Sequence, residues 1–310
     1  MVQRAPSHLM LGASKVAVMI DLHSHILPGV DDGASDLNVA LDMARLFQEQ
    51  GVSTVACTPH ILPGVYHNTG ADIRAAVAQF QHEVYAAGLQ LNLIPGADNH
   101  VVPDFVDGLR RGHLLSLGDT RYVLVEPPHH VVPPRLTDLF FEILVAGYVP
   151  ILTHPERLSW IKDHYNLIVE MAERGVLMQI TSGALLGRFG RQPKYWGERM
   201  LDEGCVHILA SDAHGIERRY PDLAEGAEAA VQWVGQQEVH NLVVVRPQGI
   251  VRNIAPADLP PIAAGEHRGA HEGGDHGREV RRPRKAPTSK AARSGPRRGV
   301  FSRLRHLFDG

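Results

Sequence analysis

Cysteine is the scarcest residue of this 310-residue chain, which contains only Cys57 and Cys205. Two cysteines do not make a disulfide framework, so we expect a fold that depends on its hydrophobic core in a reducing cytoplasm. The chain also lacks an apolar run of the roughly 18 residues that a membrane-spanning helix needs. Residues 1–18 contain no hydrophobic stretch typical of a signal peptide. These absences favour a cytoplasmic protein over the secreted and helical membrane classes.

Charged residues are unevenly distributed, although the net charge is only -3. Residues 256–310 carry 12 Lys and Arg against 6 Asp and Glu, whereas residues 1–255 carry 19 against 28. The segment 256–310 is rich in Gly and Pro and lacks apolar periodicity, so we predict a mostly disordered basic tail. Its last residues can form a short amphipathic helix for peripheral contact with a membrane or a partner, but a solvated tail is the simpler explanation. The acidic body argues against nucleic acid as the main substrate.

Seven short apolar runs predict β-strands, and a polar or metal-binding residue follows each of them. Helix-like segments separate the runs, and this alternation is how a βα barrel places one site at the carboxyl ends of its strands. The runs are Lys15–Ile20, Val52–Cys57, Leu91–Ile94, Tyr122–Val125, Val149–Leu152, Val176–Ile180 and His207–Ala210.

Six helices are predicted between and after these strands. Ser35 or Asp36 can cap the first, which runs to Gln50 and ends at Gly51. Repeated joints of helix, glycine and strand are what a barrel or a doubly wound sheet requires. The other predicted helices are 71–87, 136–146, 165–174, 193–203 and 221–236.

Residues that bind metal ions follow six of the seven runs. His23 and His25 lie two positions apart, so both side chains point the same way from a strand end. Asp212 and His214 repeat this spacing after the last run, which neighbours the first in a closed barrel. The remaining candidates are Asp32 on the first loop, His60, Asp98, Glu126 and His154. Nine ligands exceed the about four to six of a single ion, so we predict two or three ions, and the mixed ligands favour Mn, Fe or Zn.

Arginine would complete such a site. Clustered ions can lower the pKa of a bridging water to about 7 and neutralise a phosphoryl group, whose oxygens arginine can bind through paired hydrogen bonds. Arg157 lies three residues past His154, and Arg218 and Arg219 follow His214 by four and five positions. An ordinary surface salt bridge is the alternative role, and it suits Arg218 better than Arg157. Most of the 19 histidines are expected to be bystanders, and His129 and His130 are left unassigned.

The sequence around these residues resembles the PHP (polymerase and histidinol phosphatase) superfamily. The closest resemblance is to the PHP-type bacterial protein-tyrosine phosphatases of capsule and exopolysaccharide loci. Order and spacing agree across about residues 16–255, and the HPER and SDAH stretches favour this branch over the histidinol phosphatases. The matching stretches are Ile20–Gly33, Ala56–His60, Gly96–Asp98, Leu124–Pro127, Gly147–Arg157, Gln179–Gly190 and Ile208–His214.

The resemblance implies a distorted (β/α)7 TIM-like barrel over residues 16–255, preceded by a flexible extension at 1–15 and followed by the tail at 256–310. It implies a trinuclear, commonly manganese-dependent hydrolase that cleaves phosphotyrosine through a metal-bridging hydroxide. Its partner would be a bacterial tyrosine kinase that regulates polysaccharide synthesis. The basic tail, and not the resemblance, suggests that the enzyme makes peripheral contact with the inner face of the membrane. Position by position, the resemblance makes all nine candidates metal ligands and makes Arg157 and Arg219 the phosphate-binding residues.

The chain departs from the family pattern at Asp98, where the family usually has Glu, and at Ile61, where it often has His. Two alternatives therefore stay open: a small-molecule phosphoesterase such as a histidinol-phosphate phosphatase, and a regulatory PHP module that has lost catalysis. A cysteine-dependent phosphatase needs Arg six residues after its nucleophile, but Pro63 and Ser211 stand there. Both cysteines are therefore expected in the core.

Overall fold

The computed structural model of the protein describes residues 18–263, in which strands and helices alternate. The strands are β1 Met19–Ser24, β2 Val52–Cys57, β3 His60–Ile61, β4 Asn92–Pro95, β5 Asp98–His100, β6 Tyr122–Glu126, β7 Val149–Thr153, β8 Leu177–Thr181 and β9 Ile208–Ala210. The helices are α1 Leu37–Glu49, α2 Gly70–Ala86, α3 Phe105–Arg110, α4 Leu136–Val145, α5 Ile161–Glu173, α6 Ser182–Leu185, α7 Arg191–Asp202, α8 Leu223–His240 and α9 Arg246–Val251. The predicted extension at 1–15, most of the tail and its terminal helix lie outside the described residues.

The strands form two parallel sheets, in the orders β1-β2-β4 and β3-β5-β6-β7-β8-β9. Every predicted run overlaps a strand, although β1 begins at Met19 and runs on to Ser24, past the predicted end at Ile20. The second and third runs continue beyond a break, as β3 and β5. Thr58-Pro59 interrupts one of them, because proline has no N–H to donate to a neighbouring strand. Hydrogen bonds still cross the break, from Gly96 N to Cys57 O at 3.0 Å and from Asp98 N to Pro59 O at 3.2 Å. The mixed α/β fold with parallel strands is therefore confirmed.

The first strand also contacts the segment that follows the last. Asp212 N donates to His23 O at 2.9 Å, and His25 N donates to Ala213 O at the same distance. Ser24 and Ala213 form an isolated parallel bridge between these bonds. The ends of β1 and β9 are therefore neighbours, as the placement of the two spaced ligand pairs requires.

Helix signals in the sequence are matched by observed caps. Asp36 accepts hydrogen bonds from Asn38 N and Val39 N at 2.8 and 3.1 Å, so it is the residue that caps α1. Thr69 caps α2 by accepting from Asp72 N. The predicted start of α5 at residue 165 was wrong, since the helix begins at Ile161 and has a non-helical φ of -129° at His164. The apolar periodicity becomes regular only past that kink.

One hydrophobic cluster joins the strands beneath their carboxyl ends. It draws on six strands and consists of Ile20, Leu22, Ala56, Leu117, Tyr122, Leu124, Val149, Ile151, Leu177, Ile208 and Ile250. A larger cluster packs the other faces of the strands against the helices. Cys57 and Cys205 are buried, and burial raises the pKa of both thiols, which confirms them as core residues. Among the described residues, no helix has the length and apolarity to cross a membrane.

Structure also continues past the predicted domain boundary at residue 255. Residues Pro256–Asp258 form a 3₁₀ turn. Arg246 donates to the main-chain oxygens of Pro260 and Pro261 at 2.9 and 2.7 Å. The part of the predicted tail that the structure describes, 256–263, is therefore attached to α9 by hydrogen bonds.

Candidate metal centre

Two histidines from the end of β1 meet at the centre of the site. The Nε2 atoms of His23 and His25 are 3.3 Å apart, and both side chains are buried. Nδ1 of His23 lies 2.8 Å from Oε1 of Gln179, and Nδ1 of His25 lies 2.6 Å from Oδ2 of Asp31. An oxygen acceptor at Nδ1 holds the ring proton there and leaves the Nε2 lone pair free, as in metal-binding histidines. The spacing rule for these two residues is confirmed.

Asp98 lies among three histidine rings. Its Oδ2 is 3.5 Å from Nε2 of His23 and 3.6 Å from Nδ1 of His60. Nε2 of His154 is 3.9 Å from the same oxygen. Glu126, at the end of β6, faces two of these rings, with Oε1 3.5 Å from His154 Nε2 and Oε2 3.3 Å from His60 Nδ1. The two carboxylates therefore stand between histidines that come from three different strand ends.

The last strand supplies the other side of the site. Oδ1 of Asp212 is 3.4 Å from His23 Nε2 and 3.3 Å from His25 Nε2. Nδ1 of His214 bonds the main-chain oxygen of Asp212 at 2.9 Å, which leaves its Nε2 facing Oδ1 of Asp32 at 3.5 Å. Asp32 approaches from the loop after β1, as the sequence predicted.

All nine predicted ligand residues thus converge on one region. Their ligand atoms fall into overlapping groups, in each of which all atoms lie within 4.8 Å of one another. The groups are His25, Asp32, His60 and His214; His23, His154 and Asp212; His23, His25 and Asp98; His60, His100 and Glu126; and Glu126, His129 and His154.

Several of these ligand atoms are buried without a hydrogen-bond partner among the described residues. They include both carboxylate oxygens of Asp98, Oδ1 of Asp212 and Nε2 of His214. A buried carboxylate without a partner costs several kcal/mol, so such atoms need a cation or a donor to face them. Imidazole nitrogens and carboxylate oxygens that face one another across about 3.5 Å suit a divalent ion between them. The residues present therefore fit a metal centre.

The electrostatics of the site favour positive charge. Burial lowers the pKa of His25, but Asp31 and Asp212 outweigh burial and raise it to about 10, so these carboxylates favour a proton on the ring at the position where a metal ion would replace it. Burial raises the pKa of Asp212, yet Arg219 and the nearby histidines hold it well below its usual value. The pKa of Glu126 is likewise lowered against burial, by hydrogen bonds from His100 and His129. The carboxylates are therefore ionised at neutral pH and attract cations.

Two arginines border the site through Asp212. Arg219 Nη2 lies 2.5 Å from Asp212 Oδ2, and Arg157 donates to the same oxygen. Arg157 sits in the 3₁₀ turn Pro155–Arg157, directly after His154. Arg218 is exposed, so of the two neighbouring arginines only Arg219 contacts the site.

An aromatic ring packs against both guanidinium groups. Cζ of Arg157 lies 4.4 Å from the centroid of Phe189, and Cζ of Arg219 lies 5.9 Å from it. Arginine packs favourably over an aromatic face, because the ring is electron-rich there. Phe189 belongs to the loop between α6 and α7, so this loop forms part of the wall beside the arginines.

Sequence reasoning missed several residues that act on the site. Asp31 and Gln179 orient histidines, and Asp21 accepts from His23 N and Ser211 N, which links β1 to the end of β9. His100 follows Asp98 by two positions, so the spacing rule used for His23 could have identified it. No sequence pattern indicates that Asp31 and Gln179 orient histidines, because these contacts form between segments that are distant in the sequence.

Comparison with known proteins identifies the family of this chain. Residues 19–252 match the family described as capsular polysaccharide synthesis, CpsB/CapC. The tyrosine-protein phosphatase YwqE of Bacillus subtilis is 39% identical over 201 residues, which cover 65% of this chain and 79% of that protein. The tyrosine-protein phosphatase CpsB of Streptococcus agalactiae is 26% identical over 244 residues, covering 76% of this chain and 99% of that protein.

A solved structure is similar as well. It comes from a study of YwqE from Bacillus subtilis and CpsB from Streptococcus pneumoniae, described as unique metal-dependent tyrosine phosphatases. The match has a TM-score of 0.73 and 34% identity, and it covers 76% of this chain and 96% of the other. The expected family is therefore confirmed, and the chain belongs to the CpsB/CapC family of capsular polysaccharide synthesis proteins.

Proposed function

We propose that this chain is a metal-dependent protein-tyrosine phosphatase, a hydrolase that removes phosphate from phosphotyrosine in proteins. The observation that carries the proposal is the shared carboxylate of Asp212, whose Oδ1 faces two histidines and whose Oδ2 binds two arginines. A group of candidate metal ligands therefore lies next to two guanidinium groups, which can bind the oxygens of a phosphoryl group through paired hydrogen bonds. The named relatives, which are tyrosine-protein phosphatases, support the same activity.

The metal ligands in this proposal are the nine residues predicted from the sequence: His23, His25, Asp32, His60, Asp98, Glu126, His154, Asp212 and His214. Their number supports two or three divalent ions, and their mixed imidazole and carboxylate chemistry supports Mn, with Fe or Zn as alternatives. Bound ions would supply a water of lowered pKa as the nucleophile and positive charge against the phosphoryl oxygens.

The arginines bind and orient the substrate in this proposal. Arg157 and Arg219 exchange the carboxylate of Asp212 for phosphoryl oxygens, which carry similar charge and accept the same paired hydrogen bonds. As the phosphoryl group transfers, negative charge spreads over its oxygens, and the two guanidinium groups stabilise that charge. The phenol of the leaving group has a solution pKa of about 10, so the phenolate can leave with less help from a proton donor than an alkoxide would need.

The finer architecture is also part of the proposal. We infer a distorted, closed seven-stranded (β/α)7 barrel of the PHP type, with domain limits of 16–255 and flanking segments at 1–15 and 256–310. Residues 256–263 of the second segment are attached to α9. The backbone bonds between β1 and the segment after β9 support closure, as do the bonds that cross the break at Pro59. The hydrophobic cluster that draws on six strands supports it as well.

The physiological partner in this proposal is a bacterial tyrosine kinase that regulates capsular or exopolysaccharide synthesis. The family description, capsular polysaccharide synthesis, supports this class of partner. We place the enzyme in the cytoplasm, with peripheral contact to the inner face of the membrane through the tail. The 12 Lys and Arg residues among positions 256–310 support attraction to anionic lipid.

The test compares substrates with protein reconstituted in Mn(II). We expect hydrolysis of a phosphotyrosine peptide at least about tenfold more efficient than that of histidinol phosphate, and loss of most turnover in His23→Ala and Arg157→Ala. A preference for histidinol phosphate would instead support the small-molecule phosphoesterase. Failure to hydrolyse either substrate or para-nitrophenyl phosphate between about pH 6 and 9, with metal bound, would support a regulatory module without catalysis.

A further inference from the structure

We propose that His100, which the family resemblance does not assign, is a metal ligand that forms one ion site together with His60 and Glu126. The inference rests on the proposed metal-dependent function and adds a residue to its metal centre. These three residues come from the adjacent strands β3, β5 and β6. The strand register pairs His60 with Asp98, and His100 with Glu126.

The register explains why His100 reaches the site. Asp98 and His100 are two positions apart on β5, so their side chains leave the strand on the same side. Asp98 is already surrounded by His23, His60 and His154. His100 therefore extends the same row of ligands toward Glu126.

The distances between the three ligand atoms match those around one ion. Nε2 of His100 is 3.2 Å from Nδ1 of His60, which is 3.3 Å from Oε2 of Glu126. Ligands held about 2.1 Å from an ion are separated by about 3.0–3.4 Å along the edges of an octahedron or tetrahedron. The remaining edge, from His100 Nε2 to Glu126 Oε2, is 2.6 Å, so an ion would move these two atoms apart by a few tenths of an ångström.

The short edge is an ion pair between Nε2 of His100 and Oε2 of Glu126, whose side chain is only 5% exposed. It shows that this carboxylate already draws positive charge to the position proposed for the ion. Oδ2 of Asp98 lacks a hydrogen-bond partner among the described residues. Buried carboxylate oxygens of Asp98 and Glu126 therefore both face Nδ1 of His60, at 3.6 and 3.3 Å. A divalent ion bound by His60, His100 and Glu126 would offset the charge that gathers there.

An ion can reach this position from solvent. The side chains of His60 and His100 are 13% and 16% exposed, whereas Asp98 is fully buried. Glu126 is shared with a second pair of histidines, because its Oε1 lies 3.0 Å from Nε2 of His129 and 3.5 Å from Nε2 of His154. The carboxylate can thus bridge two ion positions.

The first experiment counts ions. The full chain is stripped of metal and titrated with Mn(II) and, separately, Zn(II), by calorimetry and elemental analysis. The variant is His100→Gln, and the control is His82→Gln, whose histidine side chain is 83% exposed. We expect His100→Gln to bind one ion fewer or to bind its weakest ion at least about tenfold less tightly, while His82→Gln matches wild type. Equal stoichiometry and affinities in all three proteins would overturn the inference.

The second experiment separates a ligand from a residue that only orients Glu126. Crystals of the wild-type chain grown with MnCl₂ would locate the ions by anomalous scattering. An ion within about 2.4 Å of Nε2 of His100 supports the inference, and a nearest ion beyond about 3 Å overturns it, whatever the fold of the variant.

Phosphotyrosine hydrolysis by the wild type distinguishes this inference from the proposed function. Wild-type protein that binds metal and hydrolyses the peptide, with no ion at His100, would contradict only the inference. Wild-type protein that binds neither metal and hydrolyses nothing would overturn both.

Discussion

Nη2 of Arg219 lies 2.5 Å from Oδ2 of Asp212, and this contact joins the proposed substrate-binding and metal-binding halves of the site. The other carboxylate oxygen faces the histidines of β1. Asp212 has a left-handed φ of 51°, as does Arg219, so both residues lie at sharp turns of the backbone. The backbone turns of the loop after β9 therefore place the Asp212 carboxylate so that one oxygen faces Arg219 and the other faces the histidines of β1.

This arrangement predicts different roles for adjacent arginines. We expect Arg157→Lys and Arg219→Lys to lower kcat/KM for a phosphotyrosine peptide by about 100-fold to 1,000-fold, because lysine cannot form the paired hydrogen bonds of a guanidinium group. Arg218→Lys is the matched control, since Arg218 is exposed, and it should stay within about twofold of wild type. Steady-state kinetics with metal-saturated enzyme provide the measurement. An equal loss in Arg218→Lys would contradict the assignment.

Phe189 should act through the arginines that it contacts. Replacing the ring by leucine removes the aromatic face that packs against Arg157 and Arg219, so both guanidinium groups are held less firmly in position. We expect Phe189→Leu to raise KM and the inhibition constant of inorganic phosphate by about threefold to tenfold, with a smaller change in kcat. Phe141→Leu is the control, because Phe141 is 62% exposed on α4. A fall in kcat at unchanged KM would argue against this role.

Metal removal should destabilise the fold as well as abolish activity. Asp98 and Asp212 hold buried oxygens without partners among the described residues, so an ion bound there would stabilise the native state over the unfolded chain. Saturation at about 100 times the dissociation constant contributes about 2.7 kcal/mol per site. We expect chelation to lower Tm by at least about 5 °C, with recovery on adding Mn(II). Chelation should lower the Tm of Asp98→Asn by less than it lowers that of the wild type. An unchanged Tm in the wild type would contradict a contribution of the ions to stability.

The convergence of the nine candidate ligands could be predicted because their positions relative to the strands are a local property. His23, Glu126 and His154 each follow a short apolar run, and the carboxyl ends of parallel strands meet at one edge. The same rule could not identify β5. That strand consists of Asp98, Asn99 and His100, and its buried Asn99 donates to three main-chain oxygens at 3.0 Å. A strand stabilised by polar contacts gives no hydrophobic signal.

Contacts between distant segments account for the rest of what the sequence did not reveal. Asp31 and Asp32 are adjacent and chemically identical, but Asp31 orients His25 whereas Asp32 faces His214. Only the backbone path of the loop decides between them. The break at Pro59 could have been anticipated from its missing N–H, but the matching break at Gly96-Ala97 follows from pairing with a strand already interrupted.

A histidine outside the metal centre should make stability depend on pH. Burial and then Arg246 lower the pKa of His207 to about 3, and its Nδ1 accepts from Met178 N at 3.0 Å. In the unfolded chain this histidine takes up a proton at about pH 6.5, whereas in the folded state it stays neutral down to a much lower pH. Its contribution to the free energy of unfolding is therefore fully present above that pH and is lost as the pH falls toward 3. The free energy of unfolding of the metal-free protein can be measured with urea between about pH 4.5 and 7.5. Plotted against pH, it should rise more steeply in wild type than in His207→Asn, by up to about 1.4 kcal/mol per pH unit. The exposed-site variant His82→Asn should follow wild type, and parallel curves for wild type and His207→Asn would refute the effect.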